Sequence, residues 1–387
     1  MSSIRVALDE RLGRRVAMKQ VDLPLEPGSK EARRFLDEAQ ITGQLDHPNI
    51  VPIHELGLDP RGAPTFFTMK LVRGRDLGAR LDELGPARLE ADELEALVRV
   101  LVRVCDAVSF AHSLGVIHRD LKPRNVMIGA FGQVYVMDWG LALVRAKSEH
   151  PPEERSHAIG TPAYMAPEQA WPRFEAIDER TDVYGLGGIL YTVLTGTAPH
   201  GVLGDPIATV LAAREGVVRP PEELAPQDRL PPELCRIAMK ALAPDPRDRY
   251  QAVPELELEL EAFLRGGGWL ATRVYEPGAV IVREGDEAEE AFIVTGGACE
   301  VVRTTRGRSH VVGRMGVGEV FGETMLLEGQ RRQATVRAVD RVTVKVVTRE
   351  AMRRELAGRS FLGSFLAVLA DRFRETATEL EALRRVT

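Results

Sequence analysis

The ten residues Val116 to Asn125, VIHRDLKPRN, put a histidine, two arginines, an aspartate, a lysine and an asparagine directly after an apolar helical run. A carboxylate, an ammonium and a carboxamide this close together (Asp120, Lys122, Asn125) can take up a proton and surround an anion. The stretch gains meaning only from agreement elsewhere. Lys19 stands in VAMK, Glu38 in FLDEAQI and Asp138 in MDWG; GTPAYMAPE follows from Gly160 to Glu168, DVYGLG starts at Asp182, and DPRDRY supplies Arg249. A second constellation lies far downstream, where Phe321-Gly322-Glu323 precedes Arg332-Gln333-Ala334-Thr335.

In order and spacing the first set resembles the Ser/Thr protein kinases over roughly residues 1 to 264, with HRDLKPRN in the place of their catalytic loop and MDWG where they carry DFG. The resemblance implies a phosphotransferase using ATP and Mg²⁺ (Mn²⁺ as a substitute) on serine and threonine hydroxyls of protein substrates. Moving a γ-phosphoryl group is mostly positioning plus charge neutralisation. On that pattern Asp120 accepts the substrate hydroxyl's proton and Lys122 holds the γ-phosphate. Asn125 and Asp138 offer oxygen to the metal. Lys19 clamps the α- and β-phosphates and Glu38 holds Lys19. Lys122 within DLKPxN marks the Ser/Thr-specific branch, and Thr161 falls where such kinases touch the catalytic aspartate from the substrate side. Met69 matches the gatekeeper and Lys70 to Val72 the hinge beside adenine; Ile4, Ala17 and Met127 would sandwich the base. His118 reads as a packing residue. Asp182 is expected to cap its helix and to bind the catalytic loop from below. Glu168 and Arg249 are expected to form a buried ion pair, and Trp139 replaces the usual Phe as an apolar anchor.

One departure is large. Such kinases carry GxGxxGxV before the strand lysine, but aligning Ile4 with the last valine puts Ser2 at the third glycine and the first two glycines before Met1. The expectation is a small lobe without its first strand and most of its Gly-rich loop, leaving a sheet edge uncovered. A start upstream of Met1 is the favoured explanation. The rival is a non-catalytic, pseudokinase-like sensor or scaffold, against which stand the surviving Lys19, Asp120, Asn125 and Asp138. A small-molecule kinase is disfavoured by GTPAYMAPE, which resembles a docking surface for protein substrates.

The second set, within PGAVIVREGDEAEEAFIVTGGACEVVR and GVGEVFGETMLLEGQRRQATVRAV, resembles the cyclic-nucleotide-binding domain over about residues 269 to 385. On that pattern Glu323 accepts from the ribose 2′-hydroxyl. Backbone N–H groups at Thr324 and Met325, after Gly322, suit the cyclic phosphate, and Arg332 pairs with it through its fork. Gln333 departs from the Ala or Thr common after the arginine, so selectivity is open, with cAMP favoured over cGMP. Between the two sets, the charges and two prolines of SEHPPEERSHAIGTP predict a mobile activation segment. Ser156, five residues before Thr161, is a candidate phosphorylation site whose phosphate could pair with Arg119.

The elements that must position these residues can be read coarsely. Arg15 to Val21 and Thr65 to Val72 read as strands, and Lys30 to Leu45 as a helix ending before His47-Pro48. From Leu89 to about Arg265 the pattern is helical. Arg265-Gly266-Gly267-Gly268 is the clearest joint, and Val280–Val282, Ala291–Val294, Glu300–Val302 and Val342–Val347 alternate like the strands of a β-sandwich or barrel. A helix from Ser360 to Arg385 carries Phe361, Phe365, Leu369, Phe373, Leu380 and Leu383 on one face, for packing or for a homodimer seam. The expected class is α+β. A two-lobed kinase-like domain would occupy 1–265 (small lobe 1–72, large lobe 73–265), a linker 266–268, and a β-roll with a terminal helix 269–387.

Composition sets outer bounds. A chain of 387 residues with 44% hydrophobic content suits two or three globular domains. A formal charge of −6 argues against a nucleic-acid partner held by bulk electrostatics. Cys105, Cys235 and Cys299 form no CxxC, which suggests a reducing compartment. The apolar run Val183 to Leu194 is well short of the ~20 residues of a membrane helix. With no signal peptide legible, the expectation is a cytoplasmic protein with no membrane partner.

Overall fold

The structure, a computed structural model, describes residues 2–84, 91–144, 160–171, 174–201, 205–224, 230–265, 270, 272–287, 289–305, 308–322 and 331–349. The joint at Gly266 to Gly268, Ser156, Glu323, Thr324, Met325 and the expected terminal helix lie outside these residues. The chain divides into two compact units, Met1–Gly266 and Gly267–Thr387.

The first unit opens with β1 (Ser2–Asp9) and β2 (Arg14–Val21), then α1 (Lys30–Gln44), β3 (Ile53–Leu58) and β4 (Pro64–Lys70). The antiparallel sheet runs β1-β2-β4-β3. Cross-strand partners share a face, so Ile4 beside Lys19, Val6 beside Ala17, Phe67 beside Lys19 and Met69 beside Ala17 all lie on one side. Ser29 caps α1 by accepting the Ala32 N–H at 3.2 Å, which satisfies one of the helix's orphan donors. Helical spacing then lays Ala32, Phe35 and Ala39 against the sheet, and Glu38 falls on that buried face with them. Ala17, Phe35, Ala39, Val51, Phe67 and Met69 form the small core. β1 is an edge strand, with Ile4, Val6 and Leu8 61, 61 and 62% exposed.

The helical part follows: β5 (Gly74–Asp76), α2 (Leu77–Leu84), α3 (Ala91–Ser113), β6 (Val116–Ile117), β7 (Val126–Gly129), β8 (Val134–Val136), β9 (Leu143–Val144), α4 (Pro167–Ala170), α5 (Glu179–Thr195), α6 (Pro206–Glu215), α7 (Pro221–Leu224), α8 (Pro232–Ala241) and α9 (Val253–Arg265). Leu94, Leu97, Val98, Leu101, Val104, Val108 and Ala111 recur at helical spacing along α3 and are buried. They meet α5, whose residues Thr181 to Leu194 are all buried. Asp178 is the cap of α5; its carboxylate accepts the Arg180 N–H at 2.9 Å. The helix therefore starts at Glu179, one turn ahead of the sequence expectation, and Asp182 is not its cap. Its carboxylate is released for other work. Two small sheets, β5-β7-β8 and β6-β9, frame the functional loops. Residues 118–125 run from β6 to β7, and Asp138 lies between β8 and β9.

The second unit comprises β10 (Thr272–Tyr275), β11 (Val280–Val282), β12 (Glu290–Gly296), β13 (Cys299–Thr305), β14 (Arg308–Met315), β15 (Val320–Phe321), β16 (Thr335–Ala338) and β17 (Val342–Thr348). They form two four-stranded antiparallel sheets, β10-β17-β12-β15 and β11-β16-β13-β14. Alternation drives the assembly: Val342, Val344 and Val346 of β17 point inward to Phe292, Val294, Cys299, Phe321, Val336 and Ala338.

Candidate functional site

Lys19 and Glu38 meet across the small lobe, Nζ to Oε1 at 2.5 Å. The same ammonium lies 3.7 Å from Asp138 Oδ1. Burial raises the Glu38 carboxyl above the ordinary range, and the Lys19 charge and hydrogen bond oppose that rise. Asp138 takes a left-handed backbone, φ 62°, which turns its side chain out of the β8 line. Its preceding residue is pinned: the Met137 N–H donates to Asn125 O at 2.8 Å, and His118 Nε2 faces Met137 O at 3.0 Å.

That pin leads to the second cluster. Asn125 donates its side-chain amide to Asp120 O at 2.8 Å and to Asp120 Oδ2 at 3.2 Å. Lys122 Nζ reaches Asp120 Oδ2 at 2.7 Å and Thr161 Oγ1 at 2.6 Å. Thr161 donates both its N–H (2.9 Å) and its hydroxyl (2.7 Å) to Asp120 Oδ1. Glu38, Lys19 and Asp138 thus form one set of side-chain contacts and Asn125, Asp120, Lys122 and Thr161 a second, and the Met137 N–H to Asn125 O bond ties the backbone beside Asp138 to the second set. Asn125 and Asp138 add an amide oxygen and a carboxylate, a donor set suited to a hard divalent cation.

Two other elements hold the loop. Arg119 sits at φ 66°, a conformation rare for a non-glycine residue. Asp182 accepts the His118 N–H on Oδ2 and the Arg119 N–H on Oδ1, each at 2.8 Å. Gln169 Nε2 donates to Arg119 O at 2.7 Å. The Arg119 guanidinium is buried and donates through Nε to Leu141 O at 2.6 Å. His118 packs its ring 4.6 Å from that of Trp139, as a structural histidine would. Sequence reasoning missed Gln169, and also His112, whose Nε2 lies 2.7 Å from Asp182 Oδ2. Nothing local marks either; both act through residues distant in sequence.

The Glu168 and Arg249 pair is in place, with 0% and 5% of the Arg249 and Glu168 side chains exposed and two contacts of 2.7 and 2.8 Å. Of the residues expected beside adenine, Met69 is buried, and Lys70 donates to the Tyr135 hydroxyl while lying 4.7 Å from its ring. Met127 pairs with Tyr135 across β7 and β8, and Val72 follows β4. Cys105, Cys235 and Cys299 are free and buried; burial pushes their thiols up, Cys235 to about 12, so none is a ready nucleophile.

In the second unit Gly322 has φ 83°, and a Cβ built there would lie 2.2 Å from Arg332 Nη1. Only glycine lets the guanidinium approach so closely. Arg332 is buried and donates to Gly322 O at 3.3 Å and to Glu290 O. Its guanidinium lies 5.9 Å from the Phe292 ring. Gln333 is exposed and offers its carbonyl to Arg303 Nε at 3.3 Å.

A two-lobed fold with a lysine–glutamate clamp and an Asp-Lys-Asn loop defines the class, that of phosphoryl-transfer folds. The protein kinase domain family matches residues 1–257, and the cyclic nucleotide-binding domain family matches residues 272–359. The chain belongs to the protein kinase family and carries a cyclic nucleotide-binding domain. It is 35% identical over 292 residues to a protein named serine/threonine-protein kinase PknD of Chlamydia trachomatis, covering 69% of this chain and 30% of that one. A protein of the same name from Protochlamydia amoebophila is 36% identical over 299 residues, covering 69% of this chain and 29% of that one. The chain therefore spans less than a third of the length of these relatives. Among the described residues no helix is long and apolar enough to cross a membrane.

Proposed function

We propose that this protein transfers the γ-phosphoryl group of ATP to serine or threonine hydroxyls of proteins, and that a cyclic nucleotide bound to its second unit regulates the transfer. The observation carrying the first part is Asp120, whose two carboxylate oxygens are shared among Thr161, Lys122 and Asn125. A carboxylate oriented on both oxygens can face an incoming hydroxyl and accept its proton as the acceptor O–P bond forms and the bond from Pγ to the bridging oxygen breaks, releasing ADP. Lys19 and Lys122 offset charge on the phosphates, with no reorganisation needed at the moment of reaction. Asn125 and Asp138 would hold Mg²⁺, which when bound supplies charge neutralisation at the phosphate oxygens. Met69, Lys70, Val72, Ala17, Ile4 and Met127 would form the adenine pocket.

For the regulatory part, the support is Arg332, a cation buried beside Gly322 within the residues that match the cyclic nucleotide-binding domain family. Glu323, Thr324 and Met325 complete the proposed site, with cAMP the favoured ligand. Two measurements test the reading. Phosphate incorporation from labelled ATP into dephosphorylated casein should require Mg²⁺ and fall at least ~100-fold in Lys19→Met. Calorimetry with cAMP and cGMP should give binding that Arg332→Ala abolishes; absence of heat with both would reduce the second unit to a structural part.

A further inference from the structure

The segment that begins at Thr161 borders the acceptor's way to Asp120, because Thr161 covers Asp120 Oδ1 with two bonds. Its far end is held by the Glu168 and Arg249 pair. Between these anchors lies a tight turn over Pro162–Tyr164, in which the Tyr164 N–H donates to Thr161 O at 2.9 Å. His200, in the loop after α5, meets this turn twice. Its N–H donates to Ala163 O at 3.3 Å, and its Nε2 lies 3.1 Å from Met165 O.

A carbonyl oxygen can only accept, so Nε2 carries the proton and donates to Met165 O. Tyr184 of α5 steadies the ring: its hydroxyl lies 2.9 Å from the same nitrogen, and the two rings stack at 6.0 Å and 12°. The Arg249 guanidinium lies 4.8 Å from the Tyr184 ring, so the turn and the segment's far anchor share one support. Gly188 of α5 leaves the room, since a Cβ there would lie 3.2 Å from Tyr164 Cδ1 and 3.3 Å from Pro199 Cγ. We propose that His200 is a positioning residue for the protein acceptor: by holding the Ala163 and Met165 carbonyls it sets the path along which a serine or threonine hydroxyl reaches Asp120. This rests on the kinase reading above and extends it to the acceptor side.

Packing alone does not call for an imidazole here. His200 is 5% exposed, and among the described residues its Nδ1 has no hydrogen-bond partner. A phenyl ring would fill similar space without an orphaned nitrogen, whose burial is costly. Burial also holds the ring's pKa below its ordinary value and so keeps it neutral, which suits one donating and one bare nitrogen. What the polar ring contributes is its bond to Met165 O. That bond matters for the reaction because a shift of about 1 Å is enough to misplace a reacting hydroxyl.

The test uses the full chain with His200→Phe, which has no side-chain donor, and His200→Gln, which keeps one. With Mg-ATP and dephosphorylated casein, KM for casein should rise about fivefold or more in His200→Phe while KM for ATP stays within about twofold. His200→Gln should recover most of that loss. The Tyr164 and Met165 amides should exchange about fivefold or more faster in His200→Phe. Its melting midpoint should move by about 3 °C or less, because the lost bond and the removed orphan nitrogen offset each other. An unchanged KM for casein in His200→Phe would overturn the proposal. So would KM values for casein and ATP that rise together, in step with a falling melting midpoint. If His200→Phe does not fold, His200→Leu carries the same comparison. A wild-type chain that binds casein but transfers no phosphate would refute the enzyme reading; weaker casein binding by His200→Phe would then still support the positioning role, and equal binding would overturn it.

Discussion

Glu168→Ala should be costly, because it would leave a buried guanidinium without its counter-charge. The Arg249 side chain is 0% exposed and spends its donors fully: two bonds to Glu168, and others to Ala243 O (2.7 Å), Arg180 O (3.0 Å) and Pro244 O (3.0 Å), with its plane 4.8 Å from the Tyr184 ring. Removing Glu168 deletes both charge-assisted bonds and leaves the guanidinium buried with no counter-charge. Breaking one partner of such a pair costs ~3–5 kcal/mol. Against a total stability of about 5–15 kcal/mol, that is a large fraction. At about 2–4 °C per kcal/mol for a unit of this size, the melting midpoint should drop by about 6–20 °C. Urea unfolding followed by tryptophan emission reads the first unit directly in a Trp269→Phe background, since Trp139 and Trp171 both lie there. The double variant Glu168→Ala/Arg249→Met removes the orphaned charge and should recover at least about 1 kcal/mol of the loss. A single variant costing less than about 1 kcal/mol, or a double variant no better than the single, would refute the reasoning.

Two further outcomes follow from the same packing. A Cβ on Gly185 would lie 2.8 Å from Leu121 Cβ, so Gly185→Ala should push Leu121 and its neighbour Asp120, lowering kcat about tenfold or more despite the alanine's better helix propensity; wild-type kcat would contradict this. Glu257 of α9 is pushed up to about 7, first by burial and then by the hydrogen bond and charge of Asp106. Because its folded value is raised, its protonated form favours the fold, and that contribution is present at low pH and lost as pH rises through about 7. The melting midpoint of wild type relative to Glu257→Gln should therefore fall between about pH 5 and pH 8, and a constant difference would show that Glu257 titrates normally.

The site was largely legible because its residues are carried in ordered segments whose spacing survives without the fold. The pairing of Glu38 with Lys19 was legible only through the kinase resemblance of FLDEAQI; the structure adds that Glu38 shares the buried helix face of Phe35 and Ala39. The cap of α5 was not legible. Asp178 and Asp182 both precede the apolar run, and only backbone geometry shows that Asp178 takes the Arg180 N–H. His112 escaped for a related reason: a histidine at a helix end looks like an ordinary terminal residue until α5 brings Asp182 to it. An uncovered sheet edge was expected, and among the described residues β1 is an edge strand; the exposure of Ile4, Val6 and Leu8 on one of its faces was not legible. Arg332 was expected from its frame, but its bonds to the Gly322 and Glu290 carbonyls depend on the φ of Gly322, which sequence alone does not set.

The most direct measurement is phosphate transfer from labelled Mg-ATP to casein by the full chain and by Asp120→Asn, at equal ATP occupancy. Incorporation that collapses by ~1,000-fold or more in the variant, while ATP still binds, is the expected result. Equal incorporation by both proteins would show that the carboxylate shared by Thr161, Lys122 and Asn125 is not where the acceptor's proton goes.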